Sequence, residues 1–568
     1  MMTTTYIGQP ISRVDGRAKV TGEAEYAAEY HVPALAYGYV VASAVAKGKI
    51  RRIDAADALA LPGVVDVLTH ENAPRLAQSD SSYADQVGSP GSPFRPLADD
   101  DIKFSAQPIA LVVAENFELA RYAASLVHVE YDREPHATDL EAERSRAYEP
   151  KQREIIPPVP KPRGNTTKAF ANAAVQIDAE YHLPAEHHNP MELFATTAMR
   201  DEEGKLTVYD KTQGVQNVQS YLCNIFGYSA DQLRVVAAFV GGAFGSGLRP
   251  QYQVLLAVLA AQALKRSVRV SLTRQQMFGL THRPACWQRV ALAAAADGRL
   301  EGIVHETVSE TSRFEDYSEP IVHWSGLLYQ CDNVTLDHKV AQLDVNTPGD
   351  MRAPGAVWGV YALECAMDEL AVKLRMDPVE LRLRNYAEKD QNEGLPFSSK
   401  ALRECYRQGA ERFGWARRTP EPRSMRDGDT LIGWGMAGGI WDAFQMEASA
   451  KCVLTADGKV TVSSATEDIG CGTYTIMTQI AADVLGLPLE NVTFKLGDST
   501  FPQAPVEGGS FTASSVGSAV KAVCENVREQ LITLARKIDK SLDGVALDDI
   551  VFADGHIHSR SDRSRTVS

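Results

Sequence analysis

Short alternations of apolar and polar residues mark strands at 37–43, 64–68 and 109–114, and the last is followed by helical spacing over 117–127. Two later segments are helical by the same test. Residues 254–264 are apolar nearly all round, and 360–373 set Ala362, Leu363, Ala366, Met367 and Leu370 on one stripe. An apolar run at 235–239 reads as a strand. Asp297-Gly298, Asp457-Gly458 and Asp554-Gly555 predict hairpins. Two stretches break the pattern. Residues 78–101, rich in Ser, Pro, Asp and Gly, read as a long exposed loop, and 133–168, with Pro157-Pro158-Val159-Pro160, reads as a polar linker. Helices mixed with hairpins predict an α+β chain.

A weak internal repeat runs through the later part. Asp210-Lys211-Thr212-Gln213-Gly214 leads into a helix pattern, then Gly227, Asp231 and a strand. Asp468-Ile469-Gly470-Cys471-Gly472 leads likewise to Gly486, Glu490 and a strand at 492–494. Each unit ends in a glycine-rich loop, 241–247 in one and 508–509 in the other. Two such lobes face to face would bring four loops onto one guest.

At 568 residues and 44% apolar content the chain can bury several cores, enough for three or four domains. The net charge of −15, from 58 basic and 73 acidic residues, argues against a nucleic-acid partner. The most apolar stretch, 254–264, is too short to span a bilayer, so no membrane partner is expected. Met1-Met2-Thr3-Thr4-Thr5 has no export signal, which points to the cytoplasm, or to the periplasm if a signal-bearing partner carries the chain. The eight cysteines include no C-x-x-C pair, so no zinc ribbon or iron–sulfur cluster is expected. Seven of them read as buried apolar thiols; Cys471, between two glycines, stands apart. His187-His188 reads as a structural pair, since adjacent residues point apart and no third ligand is near.

The run Gly241-Gly242-Ala243-Phe244-Gly245-Ser246-Gly247 follows a strand-like run and precedes a helix. Such loops expose backbone amides to anionic or oxo-rich guests. It has neither a G-K-[ST] ending nor G-x-G-x-x-G spacing, so it is no ordinary nucleotide loop. Three more segments share its character: Met351-Arg352-Ala353-Pro354-Gly355, Glu467-Asp468-Ile469-Gly470-Cys471-Gly472-Thr473 and Glu507-Gly508-Gly509-Ser510-Phe511 through Ser514-Ser515. Together with Thr212-Gln213-Gly214 and the opening Arg13-Val14-Asp15-Gly16-Arg17, they resemble the molybdopterin-binding large subunit of the xanthine dehydrogenase and aldehyde oxidase family, in that family's order.

The resemblance implies an α/β hammerhead domain over 8–132, a linker over 133–168, and two related α+β molybdopterin-binding domains over 169–400 and 401–568, the last incomplete. It implies a molybdenum–molybdopterin cofactor, with a dinucleotide form such as molybdopterin cytosine dinucleotide left open. Gln213 would offer its amide to the metal's oxo group, with Gly242, Ala243, Phe244 and Gly245 nearby and Arg352 on anionic atoms. Gly470, Cys471, Gly472, Thr473, Ser514 and Ser515 would hold the pterin side. Plainer roles also fit: Gln213 as a surface amide, Arg352 in an interdomain ion pair, and Ser514-Ser515 as a helix N-cap. The sequence departs from the family's pattern at Ala243, Ser246-Gly247 and Cys471, where glycine, a basic residue and glutamine are frequent.

By the same resemblance the chain oxidises an aldehyde or N-heterocycle with water as oxygen source, and passes electrons to a 2Fe-2S subunit and an FAD subunit. The family's general base is a glutamate in a C-terminal G-x-G-E motif. No such motif occurs in these residues, so no catalytic residue and no metal ligand is assigned. The expectation is a truncated chain, inactive alone, or a non-catalytic cofactor-binding protein.

Overall fold

The computed structural model describes residues 5–568. Strand β1 (Ala36–Ala42) is followed by β2 (Gly48–Asp54), β3 (Val64–Thr69) and β4 (Pro108–Ala114). All seven residues of β4 are buried, which explains its unbroken apolar run: it lies between β1 and β3 with both faces covered. Helix α1 (Phe117–Ala124) is capped by the Asn116 side chain and stops three residues short of the predicted end, as Leu126 and Val127 turn under the sheet ahead of β5 (His128–Arg133).

The next strands, β6 (Val175–Leu183), β7 (Ala195–Arg200) and β8 (Leu206–Asp210), lead to helix α2 (Val215–Phe226) and strand β9 (Leu233–Val236). Helix α3 (Tyr252–Leu264) buries every residue from Tyr252 to Ala261, hence its apolar character on all sides. It packs on β7 and on β10 (Val268–Ser271), and β11 (Cys286–Ala294), β12 (Leu300–Ser312) and β13 (Val334–Leu343) follow. Asp297-Gly298 turns β11 into β12 as predicted. Strands β13-β12-β11-β6 form one sheet, with helix α4 (Ala356–Leu374) packed against β6 and β11.

In the first-domain segment β2 and β5 pair with residues 101–102 in a three-stranded sheet of the segment's own, while β1, β3 and β4 join a larger sheet with later strands. The seven-stranded sheet has the order β9-β8-β7-β10-β1-β4-β3, with β1 pairing parallel to β10. The 133–168 segment is not a loose tether. Arg153 is 1% exposed and bonds Ser318 O and the Asp350 carboxylate, while Tyr148 and Arg163 bridge to Val340 and Val334 of β13. The prolines shape an extended strap rather than a free linker. The 78–101 loop is likewise anchored: Tyr83 and Val87 are buried, and Asp85 pairs with buried Arg249, which also pairs with Glu315.

The later part holds β14 (Lys451–Leu454), β15 (Val460–Ser463), α5 (Thr473–Leu485), β16 (Val492–Lys495) and the long α6 (Thr512–Ile538), ending in hairpin β17 (Ile550–Ala553) and β18 (His556–Ser559). The repeat is real. Both β8–α2–β9 and β15–α5–β16 are parallel crossover units, and both helices end on a left-handed glycine, Gly227 or Gly486. The two units meet end to end: Ala237 N donates to Gly497 O at 2.7 Å, and Arg234 pairs with Asp498. This joint ends β9 at Val236, short of the predicted 239. The N-terminal segment also closes on the later part, with Tyr6 N on the Asp483 carboxylate and Arg13 on Gly470 O.

The expected burial of seven cysteines holds only in part. Cys286, Cys331 and Cys524 are buried, Cys223, Cys365 and Cys452 are half-buried, and Cys405 is exposed. Cys405 lies on a helix that buries only Tyr406, so its thiol meets water.

Gly497 is the test of the joint. Its φ is 68° and a Cβ there would lie 2.2 Å from Ala237 O. Gly497→Ala should cost about 2–4 kcal/mol, seen as a lowered thermal unfolding midpoint. Gly458→Ala, at φ 77° with nothing within 4 Å of its Cβ, should cost clearly less. Equal losses would mean that the two units do not depend on this contact.

Candidate cofactor-binding site

Gln213 is 1% exposed and spends its side chain on three backbone groups. Oε1 accepts from the amides of Gly245 (3.0 Å) and Gly247 (3.1 Å), and Nε2 donates to Glu507 O at 2.6 Å. Its main chain repeats the links, with N donating to Gly247 O and O accepting from Glu507 N. One residue of the loop between β8 and α2 thus ties 241–247 to 507–509. One Nε2 hydrogen remains for a guest, fewer than a free amide would offer.

The 241–247 loop is held from both sides. Gly241 N donates to Glu192 Oε2 at 2.7 Å, and Phe244 O accepts from Arg352 N at 2.8 Å. Gly245 has φ 110°, and a Cβ would fall 2.1 Å from Asp350 O, so only glycine allows the two chains to touch. Phe244 itself is left-handed and its ring is exposed. The amides of Gly242, Ala243 and Phe244 bond no group among the described residues.

Segment 351–355 is fixed by Arg283, whose Nη2 donates to the carbonyls of Met351 and Arg352, and by Glu319, which accepts from Gly355 N at 2.7 Å. Burial pushes the Glu319 carboxyl up to about 7. The Arg352 side chain is exposed and makes no ion pair among the described residues, so the interdomain salt bridge is absent.

In the 467–473 loop, Asp468 accepts from the amides of Gly470 (2.8 Å), Gly472 (3.2 Å) and Tyr474 (3.3 Å), shaping the turn that starts α5. Gly470 and Gly472 are left-handed, and nothing lies within 4 Å of a Cβ at Gly470. The Cys471 sulfur lies 2.6 Å from Glu507 Oε1 and 3.2 Å from Thr473 Oγ1. Glu467 is fully buried and accepts from Val215 N, the first amide of α2, at 2.7 Å. Burial, then the Glu507 charge, drive its carboxyl well above the usual carboxylate range. Burial likewise pushes Glu507 up to about 8 and the Cys471 thiol up to about 12.

Four helices therefore begin at one place: α2 after Gly214, α4 after Gly355, α5 after Gly472 and α6 after Phe511. Their N-terminal dipole ends and the unbonded amides of 242–244, Cys471, Gly508, Gly509 and Ser510 suit an anionic, oxygen-rich group.

The structure brings together Gln213, Gly242, Ala243, Phe244, Gly245, the Arg352 backbone and the 470–473 loop. It does not bring the Ser514 and Ser515 hydroxyls to that loop. Ser514 Oγ donates to Phe444 O and Phe511 O, and Ser515 Oγ accepts from Met446 N. Both tie the first turns of α6 to the 444–446 segment, and neither is the N-cap, which falls at Phe511. His188 bonds Asp350 O, His187 packs on Phe278, and no metal-type cluster occurs among the described residues. The sequence reading passed over Glu192 and Glu467 as structural carboxylates; a glutamate beside a glycine loop is a weak signal until its burial is known.

Three sequence families match in chain order: the "aldehyde oxidase and xanthine dehydrogenase, a/b hammerhead domain" over 21–135, and two molybdopterin cofactor-binding domains over 148–386 and 408–568. The chain belongs to the aldehyde oxidase and xanthine dehydrogenase family. It is 38% identical over 565 residues to the aldehyde oxidoreductase molybdenum-binding subunit PaoC of Escherichia coli (strain K12), covering 99% of this chain and 74% of that protein. It is 27% identical to the putative xanthine dehydrogenase molybdenum-binding subunit XdhA of the same organism, over 92% of this chain and 72% of that one. Aldehyde oxidoreductase from Desulfovibrio gigas shares the fold with a TM-score of 0.78 and 26% identity, over 91% of this chain and 59% of that one. Quinoline 2-oxidoreductase from Pseudomonas putida 86 shares the fold alone, with a TM-score of 0.83 at 22% identity, over 100% of this chain and 76% of that one. No helix among the described residues is long and apolar enough to cross a membrane.

The raised carboxyl of Glu507 has a stability consequence. Folded, it keeps a proton that the unfolded chain releases near the ordinary glutamate value, so its contribution is present at low pH and lost as pH rises through about 8. Relative to Glu507→Gln, the wild type should lose up to about 1.4 kcal/mol per pH unit across that window. Denaturant midpoints of both proteins at three pH values check this; parallel curves would rule it out.

Proposed function

We propose that the chain holds a molybdenum–molybdopterin cofactor between the 241–247, 351–355, 467–473 and 507–511 loops and works as the large subunit of a molybdenum hydroxylase that oxidises aldehydes. The observation that carries this is the Gln213 hub with its ring of unbonded amides and helix starts. A pyrophosphate and a pterin edge need such donors, and the open space at Gly470 admits a ring that a side chain would block. PaoC, named as an aldehyde oxidoreductase subunit, supports the aldehyde.

When bound, the cofactor supplies the oxo-transfer and electron-accepting chemistry. The chain's own part is binding and orientation. Gln213 keeps one N–H for an oxo oxygen, the 242–244 amides take oxygens beside it, and the exposed Arg352 guanidinium answers anionic atoms. With no closely spaced cysteines, the chain hands its electrons to a 2Fe-2S partner and from there to an FAD subunit. On this reading the assembly is cytoplasmic.

The test is metal and pterin analysis of the full chain purified from a host that makes the cofactor, with its partners co-expressed. Wild type should carry molybdenum and an organic phosphate. Gln213→Ala should lower the molybdenum content at least several-fold while the chain stays folded. A folded wild type without molybdenum would overturn the reading. Aldehyde turnover with an artificial acceptor, set against an N-heterocycle, then decides the substrate.

A further inference from the structure

Three buried carboxylates, Glu467, Asp468 and Glu507, lie under the loops with no arginine or lysine bonded to them among the described residues, and the Glu507 charge is felt at Glu467. Asp468 is satisfied by three amides. The other two are each half satisfied. Glu467 Oε1 takes the Val215 amide and Glu507 Oε1 the Cys471 thiol, with the Ile469 amide and Thr473 hydroxyl also acting on the Glu507 carboxyl, while both Oε2 atoms, with Thr466 Oγ1, are buried without a partner among the described residues. Both are pinned to one turn, since Glu507 pairs by main chain with Gln213, two residues before Val215. Two ionised carboxylates so placed repel in a low-dielectric setting and strand two oxygens, and no cation offsets them. A single proton relieves both faults, giving one oxygen a hydrogen to donate.

We propose that Glu507, buried near Glu467, holds a proton at neutral pH, and that this proton keeps the cradle open to an anionic group, with Glu507 acting as a positioning residue through Gln213 and Cys471. Losing it puts a second negative charge beneath the amides that would bind the anion and repels the anion. The charged and titratable groups facing the pair are Asp468 and Cys471 from the 467–473 loop; the Tyr474 hydroxyl bonds Ala238 O and Arg13 of the N-terminal segment bonds Gly470 O instead. Gln213 and the α2 start are neutral. Burial raises Glu507 to about 8, which places the loss just above neutrality. The inference rests on the reading of these loops as an anion-holding cradle.

The experiment uses the cofactor-free full chain and inorganic sulfate, an oxyanion that does not itself titrate in this range, followed by calorimetry in two buffers of different ionisation enthalpy from pH 6.5 to 9. Wild type should bind about tenfold more weakly at pH 9 than at pH 7 and take up close to one proton on binding at pH 9. Glu507→Gln, which keeps the shape without the charge, should hold its affinity within about twofold over that range. Cys471→Ser should keep the wild-type slope, since the proton belongs to the Glu507 carboxyl. A wild type with no slope and no proton uptake overturns the proposal whatever the variants do, and so does a Glu507→Gln protein with the wild-type slope. If the chain carries molybdenum yet shows no slope, this inference falls and the cofactor reading stands. If it carries none and does not bind sulfate at pH 6.5, both fall.

Discussion

The site depends on one amide. Gln213 bonds three backbone groups on two other loops with a side chain from which water is excluded. In such surroundings each bond is stronger than in water, and losing one leaves a buried group bare at about 1–3 kcal/mol. Loops are ordinarily mobile because their backbones face solvent. Here they are rigid because each borrows a partner from another: Phe244 from Arg352, Gly241 from Glu192, Val215 from Glu467. The glycines make that borrowing possible, and Gly245 is the tightest case, with no room for a methyl against Asp350.

Much of this was legible in the sequence. The period of apolar residues placed β4, α3 and α4 within a few positions, and the echo between 210–236 and 468–494 proved to be two parallel crossover units. The 242–245 run and the 470–473 loop were found because glycine clusters signal a required backbone shape, and Gln213 through the family resemblance. What stayed hidden was long-range. Nothing local says that β1 pairs with β10, or that proline-rich 133–168 buries Arg153 against Asp350. Ser514-Ser515 looked chemical because hydroxyls near a glycine loop always do; only the contact with 444–446 reduced them to helix-start residues.

Carboxylates were the least legible feature. Glu467 and Glu507 open two glycine-rich segments in the sequence, yet both are buried, and burial favours their protonated form. The carboxyl of Asp468 differs in its partners, since its oxygens take three amides. Identity alone does not separate these roles; the count of donors around each oxygen does.

The two units explain why the loops meet at all. In a parallel crossover the strand's C-terminal end and the helix's N-terminal end lie at the same edge, and ligands gather there. Joining β9 to the far end of β16 through Ala237 and Gly497 turns those edges toward each other, so α2 and α5 aim their positive ends at a common space. Helices α4 and α6 add two more starts to the same place. A surface built this way gathers positive potential from backbone dipoles without committing arginines or lysines to the floor. That leaves the floor free to carry carboxyls, whose protons can then answer to what the dipoles attract.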